Sequence, residues 1–184
     1  MKKIVRLVRF ADGGNIPVVL RVDYTGLKLI GSGERQMAVL NAASTLVYAY
    51  SEATTVKVTL VIGNAIGSAY VAMGGSANAD MTYAWPGSVI SPMTGEAAIQ
   101  IMGTDKIMAS KGDAVKAREE LAAPYEAEVA DGVNAAVEGL LDDVIDPADS
   151  RKMVIAALEI LSSKRDSNPP KTHANMPLSS GEEV

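Results

Sequence analysis

The chain has 184 residues, 48% of them hydrophobic, a net charge of −5 and no cysteine, so it fits one domain burying about two-thirds of its unfolded surface and excludes disulfides, Cys-based metal sites and thiol chemistry, in keeping with a cytoplasmic setting. The acidic balance, with no basic stripe interleaved with aromatics, argues against a nucleic-acid partner. Lys, Asn, Glu and Gly break every apolar run before the ~18 residues of a membrane span, and Arg6 and Arg9 interrupt what would be the apolar core of a signal peptide after Met1-Lys2-Lys3.

Residues 2–13 carry Ile4, Val5, Val8 and Leu7 at helical spacing and end on Gly13-Gly14, which predicts a first helix. Ile16 to Asp23 is short, apolar and β-branched with Pro17 at its start, the pattern of a buried parallel strand. Gly26, Gly31 and Gly33 make the next stretch a loop at the carboxyl end of that strand, where sites collect in α/β folds. Helical spacing returns over 34–53 through Met37, Leu40, Ala43, Leu46 and Val47, and Val56 to Ile62 reads as a second buried strand ended by a turn at Gly63. A short helix near Ala69 to Met73, strands around Met81 to Trp85 and Ser88 to Ser91, and a helix from Gly95 to Met102 follow. Asp113 to Val129 predicts a long helix kinked or split at Pro124, Leu140 to Ile145 a strand, and Asp146-Pro147 the cap and first turn of a final helix reaching about Ser162. The Pro- and polar-rich end from Ser167 is expected to be extended or disordered.

Three segments stand out. One is the small-residue turn Ala65-Ile66-Gly67-Ser68-Ala69-Tyr70-Val71-Ala72-Met73. Another is Ala79-Asp80-Met81-Thr82-Tyr83-Ala84-Trp85-Pro86 with Met93-Thr94-Gly95-Glu96-Ala97-Ala98 after it. The last runs from Asp142-Asp143-Val144-Ile145-Asp146-Pro147 through Arg151 and Lys164-Arg165-Asp166 to 168–178. In this order they resemble the C-terminal half of the biotin-dependent acyl-CoA carboxyltransferase family of propionyl-CoA and acetyl-CoA carboxylases and related decarboxylases. The resemblance implies an α/β, crotonase-like (ClpP/crotonase) spiral of ββα units, one domain over 1–165 and a tail over 166–184. It also implies biotin on a separate biotin carboxyl carrier protein, a CoA thioester as substrate and no metal. The family's acyl-CoA-binding half is not contained in these residues. A separate acyl-CoA-binding carboxyltransferase chain is therefore expected, in a homo- or hetero-oligomer.

In that family carboxybiotin releases carbon dioxide, the ureido anion takes a proton from the acyl-CoA α-carbon, and the enolate recaptures the carbon dioxide. Such work needs backbone N–H groups aimed at developing oxyanions, best placed at a helix start, rather than a titrating side chain. By resemblance, the donors are the amides of Ser68 and Ala69, with Gly67 keeping the backbone bare, and Gly26, Leu27 and Tyr70 are cofactor-binding positions. The plainer reading of Gly67-Ser68-Ala69 is tight helix–strand packing. The chain departs from the family pattern at Ser68 (a second glycine), at Thr25 (proline), at Leu27 (phenylalanine), and at Asn41 and Ala42 (an Arg-His pair).

The lone histidine, His173, lies in the tail beside prolines and carries no assigned chemistry. Tyr83, Trp85 and Pro86 are expected to pack a strand and fix a turn, Asp142 and Asp143 to form a solvated strand edge or cap, and Met73, Met81, Met93 and Met102 to fill the core. Two other functions stay open: a non-catalytic assembly subunit with a decayed biotin pocket, and part of the alpha-type subunit of a biotin-dependent decarboxylase. A self-sufficient hydratase or isomerase ranks last, because no glutamate sits in a matching loop.

Overall fold

α1 (Lys2–Gly13) buries Val5, Val8 and Ala11, the two valines packing with Leu46, Ala49 and Tyr50 of α2 (Gly33–Glu52). That spacing of three keeps one stripe facing α2. Leu7, expected on the same stripe, lies roughly 100° round the helix from Val8 and is 58% exposed. The computed structural model describes residues 1–27, 29–109 and 114–168. His173 and the tail from Pro169, together with Asp113 at the expected start of the long helix, lie outside the described residues.

All strand pairs of the sheet are parallel. β1 (Val18–Tyr24) pairs with β2 (Lys57–Ile66), which pairs on its other side with β3 (Met81–Ala84) and, further along, β4 (Val89–Ser91); β5 (Asp143–Val144) adds to β3. β2 is therefore the central strand, and Val58, Leu60, Val61 and Ala65 on it are buried. β1 is different. It forms the sheet edge and is covered on one face only, so Val18 and Val22 are buried while Val19, on the opposite face, is 44% exposed, in place of the strand buried on both faces that its apolar run predicts.

The expected turn at Gly63 is corrected too: β2 runs through it to Ile66, because the last three residues pair with Val89–Ser91. The register slips there, with Val22 opposite Val61 but Tyr24 opposite Ala65, so β2 bulges around 62–64.

α3 (Gly67–Ala72) follows β2 directly. α4 (Gly95–Met102) is capped by Thr94 and by Glu126, whose carboxylate accepts from Gly95 N at 3.0 Å. α5 (Thr104–Ala109) is absent from the sequence reading. α6 (Ala114–Glu128) carries Pro124 inside one unbroken helix rather than being split. Leu140 to Ile145 is strand only at Asp143–Val144, and α7 (Gly132–Val137), started by an Asp131 side chain that accepts from Val133 N, precedes it. α8 (Ser150–Ile160) follows a single turn at Pro147–Asp149 capped by Asp146. Met102, assigned to the core, is 67% exposed. Among the described residues no helix is long and apolar enough to cross a membrane.

The starts of β2 and β3 are tied to the end of the chain by charge. Asp80 accepts from Lys57 N at 2.8 Å and from Lys164 Nζ at 2.9 Å. The Lys57 ammonium is buried and donates to the Tyr50 and Ala53 carbonyls at 2.9 and 2.6 Å, capping the end of α2. Burial lowers its pKa first and Lys164 adds to that, with Asp80 opposing both.

Candidate functional site

The site grows from the carboxyl end of β1. Asp23 there turns its side chain across the bulge in β2, where Oδ1 accepts from Asn64 N at 2.9 Å. The carboxylate occupies the space a side chain at Gly63 would need: a Cβ there would meet Oδ1 at 2.5 Å. Gly63 is thus required for close approach, not for a turn. The staple fixes the direction in which Tyr24, Thr25, Gly26 and Leu27 leave the sheet.

Gly26, at φ +113°, reaches the end of β2, where its Cβ position lies 3.9 Å from the Ile66 carbonyl oxygen. The next residue, Gly67, begins α3 at φ +67°, and a Cβ on it would meet the Pro92 carbonyl at 3.1 Å. A left-handed first residue and a crowded carbonyl together demand glycine here. The first amides of a helix have no carbonyl four residues back. Ser68 and Ala69 hold that position in α3, Ser68 exposed and the Ala69 side chain fully buried.

A cleft of 810 Å³ opens beside the first of these turns, lined by Thr25, Gly26, Leu27, Val39 and Ala42 and, from the start of α1, by Lys2 and Lys3. Its size suits a small organic ligand. Gly26 and Leu27 line it, whereas Gly67, Ser68 and Ala69 do not; they join it only through the Gly26–Ile66 approach. Tyr70 faces inward, among Val22, Val61, Ala65 and Ile90. Its hydroxyl is buried without a hydrogen-bond partner, and burial pushes its pKa up to about 12; the Ser76 backbone opposes the shift but does not reach bonding geometry. Three of the departures from the family pattern, Thr25, Leu27 and Ala42, share this one cleft.

The sequence assigns the lysines no site role: Met1-Lys2-Lys3 reads there as a basic start that does not continue into a signal peptide, and Lys2 and Lys3 as the opening of the first helix. Their place in the cleft depends on how α1 lies on α2, a packing fact with no local signal. Asp142 and Asp143 act as caps, accepting from Thr82 N at 2.6 Å and Val144 N at 2.8 Å. Trp85 packs against the cluster under α8 and donates to Ser150 Oγ at 2.7 Å.

Residues 1–176 match the model of the carboxyl transferase domain family. The carboxyltransferase subunit of propionyl-CoA carboxylase from Haloferax mediterranei is 39% identical over 178 residues, covering 96% of this chain and 34% of that protein. The methylmalonyl-CoA decarboxylase alpha subunit of Propionigenium modestum is 38% identical over 177 residues, covering 96% and 34%. A transcarboxylase 12S structure, described as a hexamer assembly with methylmalonyl-coenzyme A and methylmalonic acid bound, superposes with a TM-score of 0.85 at 36% identity, again over 96% of this chain and 34% of that one. The chain thus spans about a third of the length of the curated relatives it matches. On these matches and its parallel α/β sheet, the chain has the crotonase-like fold and belongs to the carboxyl transferase domain family.

Proposed function

We propose that this chain is the biotin-facing part of an acyl-CoA carboxyltransferase, working with an acyl-CoA-binding part and a biotin carrier protein. One observation carries the reading. Gly26, in the bare turn that lines the small-molecule cleft, lies against Ile66, the residue before Gly67 and the open start of α3, so the cleft and the helix start are neighbours although about forty residues separate them in sequence. The residues fit the cofactor: Gly26 leaves backbone uncovered in the cleft, and Leu27, Val39 and Ala42 offer apolar wall to a ring. Biotin, when bound, would supply the transferable carboxyl group. The chain's share is to hold the ring and to stabilise negative charge with the amides of Ser68 and Ala69.

Carboxyl transfer from biotin carrier to acyl-CoA by the reconstituted complex is the test, with folding followed by circular dichroism. Ala69→Pro deletes a donor and should slow turnover about a hundred- to a thousand-fold, the usual loss for one such amide. Ser68→Ala keeps its amide and should change the rate less than about twofold. A folded Ala69→Pro complex with the parent's rate would remove the amide from the mechanism. Because Thr25, Leu27 and Ala42 line the same cleft, a non-catalytic subunit is the specific rival; it predicts no transfer by the parent complex either.

A further inference from the structure

β1 ends the sheet with its outer edge open. Val18 N donates to the Val56 carbonyl, and the backbone groups of a strand point alternately to either side. Val18, Leu20 and Val22 therefore face β2, while the N–H and C=O groups of Val19, Arg21 and Asp23 point away from it. Among the described residues nothing bonds those outward groups. One face of the strand is open as well. The register sets Val19 beside Val58 and Arg21 beside Leu60, and Met153, Val154 and Leu158 of α8 pack on the cluster that holds Val58 and Leu60. That cover stops at β2 and leaves Val19 and Arg21 exposed. On the other face Leu20 packs with α1, whose Leu7 and Phe10 are exposed. Parallel sheets are ordinarily covered on both faces, and a bare edge with apolar side chains is a template for another strand.

A second copy of this chain fits the edge poorly. A two-fold antiparallel pairing that uses Val19, Arg21 and Asp23 sets Arg21 against Arg21 of the other copy, like charges directly opposite. A register that sets Arg21 opposite Asp23 drops Val19 from the ladder and calls on a carboxylate already accepting from Asn64 N. A different chain is under no such constraint. The transcarboxylase structure holds this same fold inside a chain of which it makes up 34%.

We propose that the outer edge of β1 is completed by an extended strand from the acyl-CoA-binding carboxyltransferase part, apolar opposite Val19 and acidic opposite Arg21. The inference rests on the proposed function only for the source of that strand.

The test is residue-resolved amide hydrogen exchange of the full chain, alone and in the reconstituted complex with the acyl-CoA-binding chain. Leu20 and Val22, whose amides face β2, are the internal references. The Val19, Arg21 and Asp23 amides should exchange at least about a hundredfold more slowly in the complex than in the chain alone. Arg21→Pro removes one outward N–H and no bond to β2, a change that an edge strand tolerates. It should weaken binding of the acyl-CoA-binding chain about tenfold more than Arg21→Ala does. Arg21→Glu keeps the N–H and reverses the charge, so it serves if circular dichroism shows that the proline variant is unfolded; it should weaken binding about three- to fivefold. Parental affinity in both the proline and the glutamate variants would overturn the strand. Carboxyl transfer by a complex whose outward amides stay unprotected would overturn the strand and leave the catalytic reading standing. Protection in a complex that transfers no carboxyl group would support the strand and end the catalytic reading. Protection in the chain alone that grows with its concentration would give the edge to a second copy and overturn the proposal. If no complex forms, both readings fail.

Discussion

The two edges of the sheet both carry family-like motifs, and they are built on opposite principles. Along β3, β5 and α8 several polar groups hold elements together: Asp142 bonds Thr82, Trp85 bonds Ser150, and Asp80, just before β3, bonds Lys57 and Lys164. Around β1 and α3 the backbone is instead bare and bent, with Gly26 and Gly67 both at positive φ, and the neighbouring surface is a cleft walled by small apolar residues. A motif match marks both edges equally. Only the geometry separates scaffold from site: one edge satisfies its donors internally, and the other leaves room for something else to do so.

The largest expected effect comes from disturbing the bare edge. Gly67→Val puts a β-branched residue at φ +67° and drives its Cβ to 3.1 Å from the Pro92 carbonyl, so the first turn of α3 must shift. Carboxyl transfer by the reconstituted complex should fall at least about a hundredfold. The urea midpoint should move by no more than the ~1–3 kcal/mol of one strained residue. A Gly67→Val complex of parental activity would show that the helix start plays no part in catalysis.

The scaffold edge should answer in the reverse manner. Asp80→Ala strips the acceptor from Lys57 N and from the largely buried Lys164 ammonium, whose side chain is 15% exposed. The loss of charge-assisted bonds should cost about 1.5–3 kcal/mol in urea unfolding. The cleft lies on the other edge, so the amide-resonance shifts that free biotin induces at Leu27 and Ala42 should be unchanged below the transition. A variant that keeps its stability but loses those shifts would mean that the two edges are coupled.

Much of the scaffold could be read from residue order, because α1, α2, β1 and β2 are each set by their own apolar spacing. The reading failed where a distant group decides. Gly63 looks like a stop, but the Asp23 carboxylate, forty residues earlier, occupies the space that makes glycine necessary within a continuing strand. α7 has no counterpart in the sequence reading: Gly132 and Asn134 are poor helix formers, and the Asp131 cap is the one local signal of its start. For the candidate site, Gly26 and Leu27 were found through family likeness and do line the cleft. Lys2 and Lys3 could not be found that way, since only the lie of α1 brings them to it.

Tyr70 sits between the two edges, and the expected effect there is the smallest. It was marked as cofactor-binding through family likeness, yet its ring packs in the core below α3 and its buried hydroxyl has no hydrogen-bond partner. Burial raises the pKa from 10.0 to about 12, so between those values the folded chain keeps a proton that the unfolded chain has released. A group that binds more protons in the folded state loses its stabilising contribution as pH rises, so this one is intact below pH 10 and lost progressively toward pH 12. Tyr70→Phe removes the titration and the unpaired hydroxyl while keeping the ring. The variant should therefore match or exceed the parent in stability at pH 7 and gain on it by about a further 1 kcal/mol by pH 11. Lys57 titrates in the opposite sense, its lowered pKa making folding more favourable as it deprotonates, so only the difference between variant and parent isolates Tyr70. Urea unfolding of both chains at pH 7, 9 and 11 measures that difference. A gap that stays flat with pH would mean that the hydroxyl is not sealed from water, and a Tyr70 open to water could reach a ligand bound beside α3.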